Sequence, residues 1–558
     1  MRPRHLLLAI AAGLVLADTS IVTLALPELL GDLHTTVEGL AAVLGVYTAV
    51  LAALLVPAGR LAPVAGVRAL GGAGFVVFAA ASIVCAEADS LGTLLAARGV
   101  QALGGAAGLM AAFAVLHEGP GHGRRLWVAA AVVATAAGPA LGGLLTEAFS
   151  WRAIFVAQIP VALLGAAAVV FAPAPVLARD WEGEPEVDEL GRPRTFDARP
   201  AAALALISAA LTAVLFLLVL LLVAGWGESP LRAALAVTLL PAGALVGSRV
   251  RGEPWTRAAC GCALVAGGVL ALAWLPDAHV AWTFVPQALA GIGMGLSLTA
   301  LAGDLLPERT IRDAARTLTL RHLGIAGVLA ILAPVASAQL DHTTQQARER
   351  GVAVMLDARL PPQEKLTIAP VLLRGVDTDR PRNGLAAAAA RERGSIAPEE
   401  RPVYDRALQR IDGVLVDAVG RAFRTPFLIT GALALLAALL LATRARVAAA
   451  LAGAAAIAVA APVAAKLLYD AQAPPPVTLA DPCKARKLPG TGGISGFLQD
   501  RVLQLLDRAA CDVGATREEL VLALADKADA RRFEQKYGQT PRQAIGILGA
   551  LLPDLGGG

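Results

Sequence analysis

Charged residues are scarce in this chain of 558 residues: Asp, Glu, Lys and Arg make up 16% of it, whereas 56% of the residues are hydrophobic. Soluble globular domains typically carry about 25% charged residues, so the composition excludes an ordinary soluble protein. The net charge of +4 is small for this length and forms no basic face, which argues against a nucleic-acid partner. We therefore expect an integral membrane protein surrounded by the lipid bilayer.

Cysteines and aromatic residues are also few, with five cysteines and 4% aromatic residues. Five cysteines are too few for a disulfide scaffold, and Cys260 and Cys262 lack the nearby ligands of a zinc site. We therefore expect neither a metal nor a bound cofactor. Ala, Leu and Gly dominate instead, and such small residues let membrane helices approach closely, which favours a helical bundle over a barrel.

Thirteen apolar stretches are long enough to cross the hydrocarbon layer, which takes about 20 helical residues. The first follows Arg2 and Arg4 and could be a signal peptide, but it is longer than a signal core and is interpreted as a retained span. Six stretches precede a charged linker, six follow it, and one is added at the end. They are Leu6–Leu30, Gly39–Ala58, Val67–Ala86, Leu91–Leu116, Leu126–Phe149, Trp151–Ala172, Ala201–Ala224, Leu231–Val250, Ala258–Leu275, Ala281–Leu305, Leu318–Ala338, Pro426–Thr443 and Val447–Leu468.

Arg and Lys concentrate on alternate connections between these stretches, beginning with the N-terminus. Cytoplasmic loops are enriched in these residues, so we expect a multi-pass protein of the bacterial inner membrane with a cytoplasmic N-terminus and an extracytoplasmic C-terminus. The predicted organisation is a six-helix bundle (1–172), a cytoplasmic linker (173–200), helices 7 to 11 (201–340), an extracytoplasmic helical insert (341–423), helix 12 (424–443), an additional transmembrane helix (444–469) and an extracytoplasmic helical domain (470–558).

The two long polar segments contain helical patterns, with helix-start signals at Thr516 and Thr540 in the second segment. Cys483 and Cys511 of that segment lie in an oxidising compartment if the predicted topology holds, and disulfides persist in such compartments. We therefore predict a disulfide between them, which would stabilise a domain that is too small for a large core.

One acidic residue, Asp18, lies midway along the first apolar stretch. An ionised Asp at mid-membrane costs about 2.5 to 3.5 kcal/mol on insertion scales, so such residues are rare and often carry protons or bind ions. Asp18 is therefore a candidate site for proton or cation coupling. The alternative is a buried, hydrogen-bonded Asp that only fixes helix packing.

Four stretches resemble the motifs of one transporter family. ADTSIVTLALP (17–27) is similar to LDxTIVNVALP, ATAAGPALGG (134–143) to GxxxGPxxGG, RGVQALGGA (98–106) to RxxQGxGaA, and WRAIFVAQIP (151–160) to WRWIFxINxP. These motifs belong to the drug:proton antiporter branch of the major facilitator superfamily, whose members usually have 14 spans. The resemblance runs from about residue 4 to about residue 338 and includes the last core span, but not the two polar segments.

The resemblance implies an all-α membrane fold of two six-helix bundles, here with one additional C-terminal helix and a small extracytoplasmic domain. It implies a proton-coupling role for Asp18. Arg98 would modulate that acid if its side chain is buried, although it could instead snorkel to the interface. In the fifth span, small residues at spacing four and a bending proline form either a hinge face or a plain packing face: Ala134, Gly138, Pro139, Gly142 and Gly143.

The segment after the second span departs from the family pattern. Gly59, Gly66 and Arg68 of the family's gating loop are present, with Arg60 beside them, but Pro63 stands where the family has an acid. That acid normally pairs with cationic groups to lock the cytoplasmic side. We therefore expect a weakened or rebuilt lock here.

Three further polar side chains lie in apolar stretches. Gln101 and Gln287 are candidates for lining a substrate cavity, although Gln287 could instead hydrogen-bond across helices. His322 could titrate near neutral pH, but a lone His at the start of a span is more often interfacial.

These features predict a monomeric, non-enzymatic exporter that exchanges small hydrophobic or amphipathic compounds for protons by alternating access. One alternative is an exporter of lipids or envelope precursors that uses the polar segments and a cell-envelope partner. The other is a non-transporting sensor or scaffold on the same fold, for which Pro63 is the best indication. An enzyme is the weakest alternative, since neither polar segment offers a convincing pair of nucleophile and base or a metal cluster.

Overall fold

The computed structural model describes residues 3–117, 122–173, 197–306, 310–360, 381–394, 396–442, 445–472, 477–486, 488–489 and 493–546. The chain divides into two compact units. The first, named here the membrane unit, comprises Met1–Val223, Glu228–Ser337 and Phe423–Ala471. The second, named the accessory domain, comprises Ala224–Gly227, Ala338–Ala422 and Gln472–Gly558.

The first half of the membrane unit is built from α1 (Pro3–Thr23), α2 (Leu26–Asp32), α3 (Val37–Ala65), α4 (Val67–Ala86), α5 (Leu91–His117), α6 (His122–Ala148) and α7 (Arg152–Val170). The short helix α2 anchors the turn between α6 and α7. Its Glu28 accepts a hydrogen bond from the Trp151 backbone N–H at 3.0 Å, and its Asp32 accepts one from Trp151 Nε1 at 2.9 Å. These bonds hold the fully buried Trp151 in place.

The next helices are α8 (Ala198–Val219), α9 (Pro230–Val237), α10 (Leu239–Gly247), α11 (Pro254–Ala271), α12 (Phe284–Leu298), α13 (Ile311–Leu356), α14 (Pro381–Glu392), α15 (Arg401–Leu441) and α16 (Ala445–Gln472). Helix α8 continues as a π-helix over Leu220–Gly225, and α12 does so over Thr299–Leu305. Of the predicted linker, residues 174–196 lie outside the described part of the chain. Asp197 caps α8 by accepting a hydrogen bond from the Arg199 backbone N–H at 3.1 Å.

Twelve helices in the described part of the chain are long and apolar enough to cross a membrane. They match twelve of the thirteen predicted spans. The remaining prediction, Leu126–Phe149, falls on α6, several of whose side chains lie outside the described residues. The expected all-α membrane fold is confirmed.

Equivalent glycine contacts hold a helix pair together in each half of the membrane unit. A Cβ atom added to Gly74 of α4 would come 2.8 Å from the Gly104 carbonyl oxygen of α5, and one added to Gly261 of α11 would come 2.7 Å from the Gly293 carbonyl oxygen of α12. Only glycine allows backbones to approach so closely, and in a lipid environment such packing drives helix association. The two halves therefore use the same device at corresponding helix pairs.

The additional helix α16 packs at the periphery of the membrane unit, and most of its described side chains are exposed. A Cβ atom at Gly267 of α11 would come 2.5 Å from Ala458 Cα, so the two backbones touch at that point. Near the other end, the Arg424 guanidinium lies 5.1 Å from the centre of the Tyr469 ring. Exposed apolar side chains on this helix suit contact with lipid.

The accessory domain contains the end of α13, α14, the start of α15, and α17 (Gly493–Val513), α18 (Arg517–Ala525), α19 (Lys527–Tyr537) and α20 (Pro541–Ala544). Both expected helix starts are present. The Thr516 hydroxyl accepts a hydrogen bond from the Glu519 backbone N–H at 3.1 Å, and Thr540 forms a capping box with Gln543. The predicted Cys483–Cys511 disulfide is also present.

The two polar segments, which the sequence suggested as an insert and a separate domain, share one core. Leu356, Tyr404 and Ile411 of the first segment pack in the same buried cluster as Leu506 and Leu520 of the second. The predicted boundaries at 341 and 423 also fall inside the continuous helices α13 and α15. The physical reason is packing, because each segment buries its apolar side chains against those of the other.

Candidate functional site

Asp18 lies in α1 and is completely buried, and its partner is the equally buried Arg98 of α5. Arg98 Nη2 lies 2.5 Å from Asp18 Oδ2. Of the two possibilities for Arg98, the structure shows the buried one. Opposite charges at this distance attract strongly in a low-dielectric interior, which offsets part of the cost of removing both from water.

Neutral side chains extend this ion pair into a hydrogen-bonded ring, here called the Asp18 network. Gln158 Nε2 of α7 donates to Asp18 Oδ1 at 2.8 Å, and Arg98 Nη1 donates to Gln101 Oε1 at 2.6 Å. Gln101 Nε2 in turn donates to Gln158 Oε1 at 2.7 Å and to Ser82 Oγ at 2.8 Å. Side chains from α1, α4, α5 and α7 are therefore tied together around one carboxylate.

Helix α3 joins the network through an aromatic ring and a backbone carbonyl. The Arg98 guanidinium carbon lies 4.2 Å from the centre of the Tyr47 ring, and Arg98 Nε donates to the Val43 carbonyl oxygen at 3.3 Å. The Tyr47 hydroxyl donates to the Val15 carbonyl oxygen of α1 at 2.9 Å. A desolvated cation over an aromatic face gains about 2 kcal/mol, so Tyr47 helps to hold the guanidinium without adding a second negative charge.

A separate cavity of about 70 Å³, here called the central cavity, lies between the two halves of the membrane unit. Its polar lining consists of hydroxyl side chains, one arginine and one histidine: Thr19, Ser20, Thr23, Ser208, Thr212, Arg321 and His322. His322 is buried, with Nδ1 2.7 Å from the Leu318 carbonyl oxygen. Asp18 is not part of this lining, because α1 turns Asp18 towards Arg98 and turns Thr19 and Ser20 towards the cavity.

Helix α6 lies against α1 on one side and against α9 of the second half on the other. A Cβ atom at Gly138 would overlap the Ser20 hydroxyl, and one at Gly142 would overlap the Ile21 carbonyl. A Cβ atom at Gly143 would instead overlap the Ala234 side chain of α9. The glycines thus form a seam that touches both halves.

The two other members of the predicted hinge face are Pro139 and Ala134. Pro139 lies inside α6 and lines the central cavity. Ala134 also lies in α6, but its side chain is outside the described residues.

A family model described as Major Facilitator Superfamily matches residues 8–337, more than half of the chain. The chain belongs to this superfamily. The membership predicted from the four motifs is thereby confirmed, and it places the protein among transporters, not enzymes.

Several relatives of this superfamily member carry names of drug or antibiotic exporters. It is 34% identical over 180 residues to the cephamycin export protein CmcT of Amycolatopsis lactamdurans, a match that covers 30% of this chain and 36% of that protein. It is 32% identical over 171 residues to the drug efflux pump JefA of Mycobacterium tuberculosis, covering 29% and 34%. The chain therefore spans about a third of the length of these curated relatives.

The fold is similar to that of a bacterial homolog to the human lysosomal transporter Spinster, in its inward-facing and unoccupied conformation. The TM-score is 0.51 at 14% sequence identity, and the match covers 79% of this chain and 98% of that chain. At this identity the likeness concerns the fold alone.

The segment expected as a gating loop is helical, which corrects that part of the prediction. Helix α3 runs through Pro63 to Ala65, and α4 begins at Val67. Gly66 alone connects them, with φ of +84°, a conformation open to glycine but strained for other residues. An internal proline removes one helical hydrogen bond, and here α3 continues past it.

Apart from Gly66, the predicted gating residues lie in helices. Gly59 and Arg60 lie in α3, and Arg68 lies in the first turn of α4. Arg68 Nε donates to the Ala172 carbonyl oxygen after α7 at 2.7 Å. This cation therefore holds the end of a neighbouring helix.

Neither glutamine proposed for the substrate cavity lines the central cavity. Gln101 belongs to the Asp18 network. Gln287 is completely buried and donates from Nε2 to Thr283 Oγ1 at 2.8 Å, one turn earlier on the same chain segment. Its described hydrogen bond is thus local, not across helices.

Gln158, Ser82 and Tyr47 were not singled out from the sequence as site residues. Gln158 carried a usable signal, since it is the one polar side chain between Ile154 and Val170 and lies inside the WRAIFVAQIP motif. Ser82 and Tyr47 carried none, because single hydroxyl groups are common in membrane helices. Residues of the central cavity such as Ser208 and Thr212 were missed for the same reason.

Proposed function

We propose that the protein exports small amphipathic or hydrophobic compounds across a bacterial inner membrane in exchange for protons, by alternating access. The observation that carries the proposal is the completely buried ion pair between Asp18 of α1 and Arg98 of α5, because α1 also lines the central cavity. Relatives named for cephamycin export and drug efflux support the substrate class. The proton gradient would supply about 2.3 kcal/mol per charge per 100 mV, plus its pH component.

Coupling would act through α1. A proton on Asp18 would leave Arg98 as a buried cation without its counter-ion, and breaking a buried ion pair in this way costs about 3 to 5 kcal/mol. This cost is relieved only if the Arg98 guanidinium moves or water enters. Either change alters how α1 packs on α5. Because Thr19 and Ser20 of α1 line the central cavity, the cavity wall then responds to the proton.

Transport would also require the central cavity to open. Its volume of about 70 Å³ is well below the roughly 300 to 1,000 Å³ of sites that bind drug-sized molecules. The α6 seam suits such a movement, since Gly143 packs on α9 of the other half without an interlocking side chain. Residues Gly138 to Gly143 are therefore the proposed hinge face.

The accessory domain would lie on the extracytoplasmic side. The distribution of Arg and Lys supports this topology. A disulfide such as Cys483–Cys511 suits an oxidising compartment and is rare in the cytosol. Labelling of a cysteine introduced at exposed Arg531 by a membrane-impermeant reagent in whole cells checks the orientation, with Arg251 as the cytoplasmic comparison.

Export of a lipid or envelope precursor remains a second candidate, supported by an apolar groove of about 410 Å³ on the first half of the membrane unit. Leu6, Ile10, Leu14 and Leu141 are among its lining residues. Such a groove would suit an acyl chain. Ile10→Trp, which narrows this groove, should impair delivery of such a product but should leave export of a soluble dye intact.

The decisive experiment compares purified wild type with Asp18→Asn in proteoliposomes loaded with Nile red. We expect Asp18→Asn to lose dye transport driven by a pH gradient but to keep counterflow exchange, which needs no net proton movement. Asp89→Asn is the matched control, because its side chain is 95% exposed. Unchanged gradient-driven transport in Asp18→Asn would show that Asp18 only fixes packing, and wild type that never moves protons or dye would favour the sensor.

A further inference from the structure

The accessory domain contains a cleft of about 1030 Å³, unrelated to the central cavity, between one face of α13 and one face of α15. On α13 the lining positions are 350, 353 and 354, and the turn after that helix adds 357, 358 and 359. On α15 they are 403, 406, 407, 409, 410, 413, 414 and 417, and Val477 and Thr478 of the second polar segment complete the lining. The α13 positions recur at three-and-four spacing, and the α15 positions cover one broad face of that helix. Small residues, among them Ala353 and Ala407, occupy the floor and leave the space between the helices unfilled.

The floor of the cleft is apolar, whereas its rim is cationic. Four arginines contribute to the lining: Arg350, Arg359, Arg406 and Arg410. All except Arg350 are exposed. For Arg359, Arg406 and Arg410, no carboxylate among the described residues lies within salt-bridge distance.

Two acidic side chains also line the cleft, but each has an arginine partner that is not part of the lining. Asp357 Oδ1 lies 3.0 Å from Nη2 of the buried Arg517, and Asp417 Oδ2 lies 3.0 Å from Nη1 of Arg421. The charge of each acid is therefore balanced by an arginine outside the lining. The surface offered to a ligand combines an apolar floor with a net positive rim.

We propose that this cleft binds a small amphipathic anion, with its apolar body on the Ala–Val floor and its anionic group on Arg406 and Arg410. Its volume is of the order of known small-molecule sites, and guanidinium groups match carboxylate, sulfonate and phosphate geometry. A cationic or neutral ligand would leave the rim charges uncompensated. The site is independent of the proposed transport function and of Asp18.

The first test fills the cleft. Gly413 lines it, and a Cβ atom added there meets no other atom within 4 Å, so Gly413→Phe places a ring in open space. Gly420→Phe is the matched control, since it lies two turns further on α15, also meets nothing within 4 Å, and does not line the cleft. The probe is 8-anilinonaphthalene-1-sulfonate, titrated by fluorescence against the full chain in phosphatidylcholine nanodiscs with empty nanodiscs subtracted.

Wild type and Gly420→Phe should bind the probe saturably with equal affinity, whereas Gly413→Phe should lose this saturable binding. A circular dichroism spectrum and a melting temperature like those of wild type check that Gly413→Phe is folded. Equal binding by Gly413→Phe and wild type, or no saturable binding by wild type, would overturn the proposal.

The second test removes charge. The double variant Arg406→Gln/Arg410→Gln should weaken binding of the sulfonate about tenfold, as expected for the loss of two exposed ionic contacts. Arg391→Gln/Arg531→Gln removes the same charge from exposed positions outside the lining and should bind like wild type. The uncharged analogue N-phenyl-1-naphthylamine should bind more weakly than the sulfonate and should not respond to the arginine changes. Equal affinity for both probes would refute an anion site.

Competition then distinguishes the source of the ligand. Naphthalene-1-sulfonate represents a soluble ring compound, and octyl phosphate represents the chain and head group of a lipid. Displacement of the fluorescent probe by either one supports the amphipathic anion, and the stronger competitor identifies the source. Failure of both to displace it would count against the site.

Discussion

The membrane unit and the accessory domain each bury charged groups, but they arrange them differently. In the membrane unit one acid faces one base, and the remaining partners of Asp18 and Arg98 are amide side chains, aromatic rings and a backbone carbonyl. In the accessory domain Arg486, Arg517, Asp507 and Glu518 form a group, here called the Arg517 cluster, in which each charge has more than one partner. Arg517 Nη2 lies 2.9 Å from Glu518 Oε1 and 3.0 Å from Asp357 Oδ1.

The Arg517 cluster also includes a second arginine. Arg486 lies 2.6 Å from Asp507 Oδ1 and 3.1 Å from Glu518 Oε1. Because ions are shared, the loss of one acid leaves both arginines with a counter-ion. The Asp18–Arg98 pair has no such reserve among the described residues, so a single proton on Asp18 changes its charge balance completely. A pair without redundancy can act as a switch, whereas a redundant cluster stabilises a domain.

The largest effect that would test this contrast is expected from Arg98→Gln. The change leaves Asp18 buried without its counter-ion, which costs about 3 to 5 kcal/mol. Thermal unfolding of the protein in nanodiscs measures the loss, and gradient-driven transport should disappear with it. The double variant Asp18→Asn/Arg98→Gln removes both charges and should recover much of the lost stability, as a double-mutant cycle would record. Additive losses would contradict the single-pair arrangement.

The accessory domain should depend more on its disulfide than on any one charge. Replacing Cys483 and Cys511 by Ser opens a link between residues 28 positions apart, which costs about 3 to 4 kcal/mol in the chain-entropy model. Hydrogen exchange of the α17 and α18 amides should rise, while exchange in α1 to α7 stays constant. Reduction of wild type should reproduce the effect, and free thiols in the untreated protein would contradict the disulfide.

A smaller effect is expected from Glu518→Gln, although Glu518 is completely buried. Arg517 keeps Asp357 and Arg486 keeps Asp507, so we expect a loss of about 1 to 2 kcal/mol instead of the larger cost of isolating a buried charge. Hydrogen exchange of α18 measures it, and transport should be unaffected. A loss as large as that of Arg98→Gln would remove the contrast between the two networks.

The smallest effect concerns pH. Burial raises the pKa of the Asp507 carboxyl above its ordinary value of 3.8, although Arg517 and Arg486 act in the opposite direction. An acid whose pKa is higher in the folded state contributes stability below the ordinary value and loses it as pH rises through the raised one. Asp507→Asn should therefore flatten the pH dependence of α17 exchange as the pH rises above the ordinary pKa of 3.8. Asp512→Asn, exposed on the same helix, should leave it as in wild type.

Part of the site could be predicted because motifs are local. Asp18 and Arg98 were identified by an acid in an apolar stretch and by a match of motifs, and the structure brings them together. The direction in which Asp18 points could not be predicted, since it depends on how α1 is rotated against α5 and α7. The helical course of residues 59–65 and the local hydrogen bond of Gln287 likewise depend on neighbouring turns and helices.

By itself, the sequence determined the membrane class, the span pattern and the superfamily, because a backbone in lipid must satisfy its own hydrogen bonds and about 20 apolar residues in a row are therefore a sufficient signal. Tertiary structure alone decided that Gln158 completes the Asp18 network and that the two polar segments form one accessory domain. It also decided that two facing helices leave an arginine-rimmed cleft. These features arise from contacts between residues far apart in the chain, which depend on helix rotation and packing that no local pattern encodes.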